Sequence, residues 1–311
     1  MKAILDIILV NRNSGSMLRD CIRTIASASR SRYSLDRVVV VDDCSTDNSL
    51  DDLERWKLPV LLIENDRRLG YGASCNIGAA SSRADFLLFL NTDTRLVTDS
   101  IDVPISFIAD PKNHEFKMVG IKLLGDSDTV SRSCSRFPTL GLLLNSILGL
   151  DRLWPQIFHG PAMREWHHLE SRPVDQVIGA FLFVSRELFV QLKGYDERFF
   201  VYYEDLDLSL RARTLGFRNM YLSNAYAYHF EGGTSRKVWS ESLFLNRHSR
   251  IKFAKKHFTP IAALVVAFAT LLLEPVVRTL YALSQRSGVE MKANWVATWD
   301  LWRALLSRGT R

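Results

Sequence analysis

A chain of 311 residues that is 47% apolar can bury one large core, or one catalytic-sized domain followed by a C-terminal appendage. Forty Lys and Arg against 34 Asp and Glu give a formal charge of +6, which suits nucleotide diphosphates, phospholipid headgroups or nucleic acid without choosing among them. The four cysteines, Cys21, Cys44, Cys75 and Cys134, form no CxxC pair, which argues against a zinc site or a disulfide scaffold and fits a reducing compartment. The apolar stretch after Met1 and Lys2 is punctuated by Asp6 and ended by Asn11, too short for a signal peptide.

Ile4 to Val10 reads as a buried strand, and Met17, Cys21, Ile22 and Ile25 give Gly15 to Ala28 helical spacing. Val38 to Val41 is a second buried strand, whose end at Asp42-Asp43-Cys44-Ser45-Thr46-Asp47 predicts a turn into a helix containing Leu50 and Leu53. Val60 to Ile63 and Phe86 to Leu90 are further strands. The first precedes a Gly-rich stretch and the second stops at Asn91-Thr92-Asp93. Strands alternating with helices predict an α/β fold with a mostly parallel central sheet, in which ligands collect at the carboxyl ends of the strands. Val97 to Arg172 is less regular and reads as a variable, substrate-contacting region. Beyond it, Val177 to Val184 is apolar and Arg186 to Leu192 helical. The segment around Leu208 to Leu215 is a helix, with Asp207 and Arg211 spaced to pair and Gly216 closing it.

Several polar groups at these ends carry chemistry. Asp93, after a buried strand, is either a turn or capping residue or a ligand for a hard divalent cation that also binds substrate phosphates. Asp42 and Asp43 can accept from a base N–H or a ribose hydroxyl, or cap a turn, and both can hold at once. In Asn65 to Gly78 the glycines permit close backbone approach, and a following helix N-terminus suits phosphate, although the stretch is neither a Rossmann fingerprint nor a P-loop. Glu204 and Asp205 open a helix, where the macrodipole favours acids; alternatively, one of them faces a sugar site and deprotonates an acceptor hydroxyl. His229, after a probable strand Ala225 to Tyr228, precedes a mobile-looking Glu231-Gly232-Gly233-Thr234-Ser235 loop and is either structural or a partner of Asp93 in a metal shell.

Taken in order, Val10-Asn11-Arg12-Asn13, Val41-Asp42-Asp43 with Ser45-Thr46-Asp47, Asn65 with Gly70-Tyr71-Gly72 and Asn76, and Leu90-Asn91-Thr92-Asp93-Thr94 form an ordered motif set. Gly179-Ala180, Gly194-Tyr195-Asp196-Glu197-Arg198-Phe199-Phe200 and Tyr203-Glu204-Asp205-Leu206-Asp207-Leu208 continue it. Together they resemble family-2 glycosyltransferases of the GT-A nucleotide-sugar-binding fold, over roughly Ile4 to Ser235. The resemblance implies an inverting, metal-dependent transferase. Asp42 and Asp43 would contact the nucleoside, within a donor-nucleotide set that adds Asn13, Arg68, Gly70, Asn76, Asn91 and Thr92. Asp93, and His229 as in some members, would hold Mg or Mn with the diphosphate, and Asp205 would be the general base, with Gly179, Ala180 and Glu204 on the acceptor side. One departure is that Asn91 stands where the family's Asp-x-Asp motif has its first acid, as in relatives that resemble rhamnosyltransferases. Ser133-Cys134-Ser135-Arg136-Phe137-Pro138-Thr139 is similar to a segment of rhamnosyltransferases acting on polyprenyl-diphosphate sugars. That makes dTDP-L-rhamnose the expected donor and a lipid-linked or cell-surface glycan the acceptor. A UDP-hexose or UDP-galactofuranose donor on the same fold is the nearest alternative, and a non-catalytic membrane scaffold is one of another class.

Residues 1–240 are thus expected to form the catalytic domain and 241–311 a helical, membrane-associating region. Arg247, Arg250, Lys252, Lys255 and Lys256 precede the apolar run Ile261 to Leu273, shorter than the ~20 residues of a spanning helix and interrupted by Glu274 and Pro275. Trp295, Trp299, Trp302 and Leu306 are expected on one helical face opposite Asp300 and Arg303, as in helices lying in a membrane interface. The alternative is a helical hairpin packed on the catalytic domain or on a second subunit of a homo-oligomer. The partners expected are the nucleotide sugar, the lipid-linked acceptor and the cytoplasmic face of a bacterial inner membrane. No nucleic acid is expected, since no nucleic-acid fold accompanies the basic run.

Overall fold

The computed structural model describes residues 2–125, 127–230 and 239–307. In chain order it contains β1 (Ala3–Asn11), α1 (Ser16–Ser27), β2 (Tyr33–Asp42), β3 (Val60–Glu64), α2 (Tyr71–Ala80), β4 (Phe86–Asn91), β5 (Thr94–Leu96), α3 (Asp102–Ala109), β6 (Phe116–Leu124), β7 (Cys134–Ser135), α4 (Leu140–Ile147) and α5 (Leu150–Leu153). There follow β8 (Arg172–Val174), β9 (Gln176–Val177), β10 (Phe181–Ser185), α6 (Arg186–Gln191), α7 (Glu204–Thr214), β11 (Arg218–His229), α8 (Trp239–His257), α9 (Pro260–Phe268), α10 (Glu274–Ser284) and α11 (Gly288–Leu306). Contacts divide the chain into two compact units. One is Met1–Ser135, His167–Glu197 and Glu204–Thr234; the other is Arg136–Trp166, Arg198–Tyr203 and Ser235–Arg311. The second unit therefore takes two internal segments as well as the region after residue 240.

In the first unit the strands run β3-β2-β1-β4-β10-β6-β11-β5, with β8 on β11. The β3-β2-β1-β4 block is parallel, as is β6 with β11, while β10 is antiparallel to both β4 and β6. Leu5, Ile7, Ile8 and Leu9 of β1 are all buried, as befits a central strand covered on both faces. Helix α2 lies so close on that sheet that a Cβ on Gly78 would sit 2.7 Å from Ile8 Cγ2. At the carboxyl ends of β1, β2 and β4, Asn11 stands opposite Asp42 and Asn91 opposite Val10. Two sequence expectations fail here. The turn after Asp47 leads only to a short 3-10 turn at Leu53–Trp56, with Asp52 in the left-handed region (φ 59°), so no α-helix forms around Leu50. The segment read as irregular contains β6, a central strand whose apolar run K-M-V-G-I-K-L-L is broken by two lysines.

In the second unit, Pro260 to Ser284 is one continuous helix, long and apolar enough to cross a membrane by length and composition, with mean hydropathy 2.2 over an 18-residue stretch. Glu274 and Pro275 end the apolar run, as the sequence reading has it, but the helix continues through them. The helix widens to a π turn over Ala269–Leu273, and the Leu271 carbonyl, which the N–H-less Pro275 cannot serve, accepts from Trp302 Nε1 at 3.3 Å. Trp302 packs edge-to-face on Trp299, their ring centroids 6.4 Å apart, while Trp295 and Trp299 are exposed. Glu274 is buried and met by Arg278 Nε at 2.7 Å, Arg250 Nη2 at 2.8 Å and Arg247 Nε at 3.4 Å. Burial raises its pKa, but the three guanidinium groups outweigh it and bring the pKa down to about 2. Arg247 also donates to Asn294 Oδ1 (2.6 Å) and Thr298 Oγ1 (2.9 Å), locking α8 to α11.

Candidate active site

The nucleotide end of the site is a frame of mutually bonded polar side chains. Buried Asn11 donates through Nδ2 to Asp42 Oδ1 (2.7 Å), Ser49 Oγ (2.8 Å) and Ser45 Oγ (3.0 Å). Asp42 also accepts from Ser45 N at 2.8 Å and Ser45 Oγ at 2.6 Å. Asn13, in the left-handed region at φ 48°, accepts from Thr46 N through Oδ1 at 2.7 Å. Asp43 holds the next loop, accepting from Leu69 N (2.7 Å), Gly70 N (3.1 Å) and Asn65 Nδ2 (3.1 Å). Of the two readings left open for this acidic pair, the turn-organising one is realised: these carboxylates, 3% and 4% exposed, spend most of their acceptor capacity on the protein.

Gly70, at φ 87° and ψ 174°, takes a backbone shape that only glycine adopts readily, and it opens α2. Arg68 lies on the exposed side of the same loop. Asn76 departs from the donor set expected of it. Its amide donates to Tyr195 O (2.9 Å) and Glu197 Oε1 (3.1 Å), while its oxygen accepts from Tyr195 N (2.8 Å). Every atom of that carboxamide therefore braces the Tyr195–Glu197 turn, one helical turn beyond the part of α2 that faces the loop.

At the end of β4, Asn91 is half-buried, Thr92 buried, and Asp93 is brought to His229 by the pairing of β5 with β11. His229 Nε2 lies 3.3 Å from Asp93 Oδ1, and both side chains are nearly buried. Phe230 N donates to Asp93 O at 3.0 Å, and the Arg95 guanidinium stacks on Phe230 at 4.3 Å while pairing with Asp20 at 2.8 Å. Among the described residues no group of three or more His, Cys, Asp or Glu side chains gathers as a cage. A carboxylate and an imidazole converging from two strands fit the smaller protein share of a divalent site whose other ligands are phosphate oxygens and water. The Gly-Gly loop anticipated after His229 lies outside the described residues.

The Asp205 carboxylate is held by three donors. Gly179 N reaches Oδ2 at 2.9 Å, Leu206 N reaches Oδ1 at 2.7 Å, and the buried Gln176 side chain adds a third. Burial raises the Asp205 pKa above the ordinary carboxylate value, and these donors oppose the rise without cancelling it. Helix α7, which carries this residue in its first turn, is clamped by Arg211: Nε pairs with Asp207 at 2.7 Å, as the i,i+4 spacing implied, while Nη1 and Nη2 reach the Leu192 and Gly194 carbonyls. Tyr202 and Tyr203, just before it, both have left-handed backbones (φ 68° and 70°), a strained entry to the helix.

The Gly179-Ala180 segment joins this carboxylate to the β4 end. Gly179 O accepts from Tyr71 Oη at 3.0 Å, and Ala180 O accepts from Asn91 N (3.1 Å) and Thr94 Oγ1 (3.2 Å). Both residues thus act through their backbones. Glu204 turns the other way from its neighbour: its Cβ and Cγ pack over Gly72, 3.5 and 3.7 Å from where a side chain there would begin. It is 6% exposed, and its Oε2 has no hydrogen-bond partner among the described residues. Burial first, and then the charge of Asp205, push its pKa well above the usual range. Glu204, expected on the acceptor side, is thus buried against Gly72.

Gln176 and Tyr71 were not singled out from sequence. Their signal is tertiary, since 29 and 134 positions separate them from Asp205. The segment resembling rhamnosyltransferases begins beside them: Ser135 pairs with Gln176, and Ser133 O accepts from Ile178 N at 3.0 Å.

Comparison with known proteins now bears on this geometry. Residues 6–114 match the model of glycosyl transferase family 2. The N-acetylglucosaminyl-diphospho-decaprenol L-rhamnosyltransferase of Mycobacterium tuberculosis is 26% identical over 274 residues, covering 83% of this chain and 86% of that protein. The O-antigen biosynthesis protein RfbC of Myxococcus xanthus is 29% identical over 223 residues, 70% of this chain but only 17% of that much longer protein. The solved mannosyltransferase PcManGT of Pyrobaculum calidifontis, in complex with GDP-Man and Mn2+, superposes with a TM-score of 0.57 at 16% identity, over 100% of this chain and 80% of that one. At that identity the likeness speaks to the fold, the nucleotide-sugar-binding GT-A type. The end of β4, with Asp93, lies within the stretch that matches glycosyl transferase family 2, the half-buried carboxylate at the head of α7 lies beyond it, and the chain resembles the family-2 glycosyltransferases and, over most of its length, the rhamnosyltransferases among them.

Proposed function

We propose that the chain transfers L-rhamnose from dTDP-L-rhamnose, with inversion, to a hydroxyl of a lipid-linked glycan at the cytoplasmic face of a membrane. The observation that carries this reading is the Asp205 carboxylate, fixed by Gly179 N, Leu206 N and Gln176 and with its pKa raised, as suits a general base. In the reaction the acceptor oxygen attacks the anomeric carbon, its proton passes to Asp205, and the bond from that carbon to the diphosphate oxygen breaks from the opposite face. Asp93 and His229 would hold Mg or Mn, which when bound neutralises charge on the departing diphosphate. Asp42, Asp43 and Asn13 shape the loops against which the nucleoside lies, with Gly70, Arg68, Asn91 and Thr92 lining the diphosphate side.

The rhamnose assignment draws support from relatives named for rhamnosyl transfer and from the Ser133–Ser135 segment lying against Gln176. Calorimetric binding of dTDP-rhamnose and a panel of UDP-sugars, with Mn present and then chelated, tests it. Mn-dependent preference for dTDP-rhamnose is expected. Preference for a UDP-sugar overturns the donor while keeping the base, and binding of no donor overturns the catalytic reading.

A further inference from the structure

The two units differ sharply in charge. The second carries 17 Lys and Arg against six Asp and Glu, whereas the first carries 23 against 28, so the whole positive excess of the chain sits on the second. The second unit also exposes a long apolar face. Ile261 is 78% exposed, Leu264 70% and Leu280 63%, with Phe268, Leu272 and Val276 between them at helical spacing. A contiguous patch of this extent marks a docking surface. It continues onto the end of α5, where Leu153, Trp154 and Ile157 are exposed beside α10, since a Cβ on Gly149 would lie 3.9 Å from Val277 Cγ1.

Cations border this face. Arg152 is exposed next to Leu153, and Arg278 lies on α10 between Val276 and Leu280. Desolvation, and then the like charges of Arg278 and Arg164, lower the Arg152 pKa against the opposing charges of Asp151 and Glu274. A spanning orientation is disfavoured, because it would carry Glu274 and its three arginines into hydrocarbon together with α11, which bears Glu290, Lys292, Asp300 and Arg303. An apolar face edged by arginines suits a helix lying in the interface plane. Resting on the reading that the acceptor is lipid-linked, we propose that this face docks on an anionic phospholipid surface, its apolar side chains at the acyl boundary and Arg152 and Arg278 binding lipid phosphate.

Co-sedimentation of the full chain with phosphatidylcholine vesicles, and with vesicles holding roughly one-third phosphatidylglycerol, tests this. The mixed vesicles bind more protein, and Arg152→Gln lowers partitioning to them about fivefold, the loss of one cation near an anionic surface. Leu264→Ser with Leu280→Ser lowers it at least about tenfold. Both positions are exposed, so melting temperature and donor binding stay unchanged. Equal binding to both vesicle types with Arg152→Gln unaffected overturns the phosphate assignment. Absence of vesicle binding, or a dimer in sedimentation velocity that the Ser pair dissociates, overturns the docking surface. Transfer to a detergent-solubilised lipid-linked acceptor is measured alongside. Transfer without vesicle binding sinks only the surface, and vesicle binding without transfer sinks only the acceptor reading.

Discussion

Replacing Asp205 by Asn removes a charge and keeps the shape, so its two consequences separate. The carboxylate accepts from Gly179 N through one oxygen and from Leu206 N through the other. Whichever way an Asn carboxamide turns, one backbone N–H faces an NH2 group, at a cost of about 1–3 kcal/mol. Against this, the charged form of Asp205 is already disfavoured by burial, so its removal offsets part of that cost, and the variant folds. Catalysis is hit far harder. Losing a positioned general base costs about 10²–10⁴ in kcat, or roughly 2.7–5.4 kcal/mol of barrier. The assay is diphosphate release against pH, with donor affinity measured by calorimetry. Wild-type kcat falls as pH drops through the raised Asp205 pKa, because the base is then protonated; the variant loses that limb and binds donor as before. A kcat within about tenfold of wild type refutes the base assignment, and lost donor affinity moves Asp205 to the donor side.

Asp93→Ala and His229→Ala each remove one of the two converging donors, and Mn-stimulated donor binding is expected to weaken by at least about tenfold, ~1.4 kcal/mol, in calorimetric titrations with and without chelator. Equal loss in chelated samples would show that the pair acts without the metal. For Glu204→Gln the effect is on stability. Because the folded pKa is raised, the native state binds more protons than the unfolded one, so wild-type stability falls as pH rises from about 4.5 through the folded value. Gln flattens that slope and melts higher at pH 8. The opposite sign is expected at Glu274, whose folded pKa is about 2: its contribution is full above about 4.5 and lost as pH falls toward 2. Glu274→Gln leaves three buried or half-buried arginines facing a neutral group and destabilises the second unit by about 3–5 kcal/mol in urea denaturation at pH 7.

The strands of the nucleotide half were readable because each is a short β-branched or Leu run bounded by polar residues, and burial on both faces demands such runs. The reach of Leu50 and Leu53 toward a helix was misread because their spacing satisfies a helical period locally, while Asp52 adopts a left-handed backbone that ends it. Strand β6 was passed over because Lys117 and Lys122 interrupt its apolar alternation.

Within the site, residue type alone left Asp93, Asp205 and His229 with structural alternatives, and it was the ordered motif set and the resemblance it carries that pointed to them. What each neighbour does was decided only by folding. Asn76 carries a donor-loop motif, yet three of its hydrogen bonds go to a turn more than 100 positions away. Glu204 and Asp205 are adjacent and chemically alike, but the first turn of α7 points one at Gly72 and the other at Gly179 N. Likewise, composition marked Pro260 to Ser284 as apolar, but only packing showed which carbonyl Trp302 satisfies and where three arginines meet Glu274. Local pattern fixes which side chains can do chemistry, since that is a property of the residue and its immediate neighbours. Which of them face one another depends on long-range pairing between strands and helices, which no local period encodes.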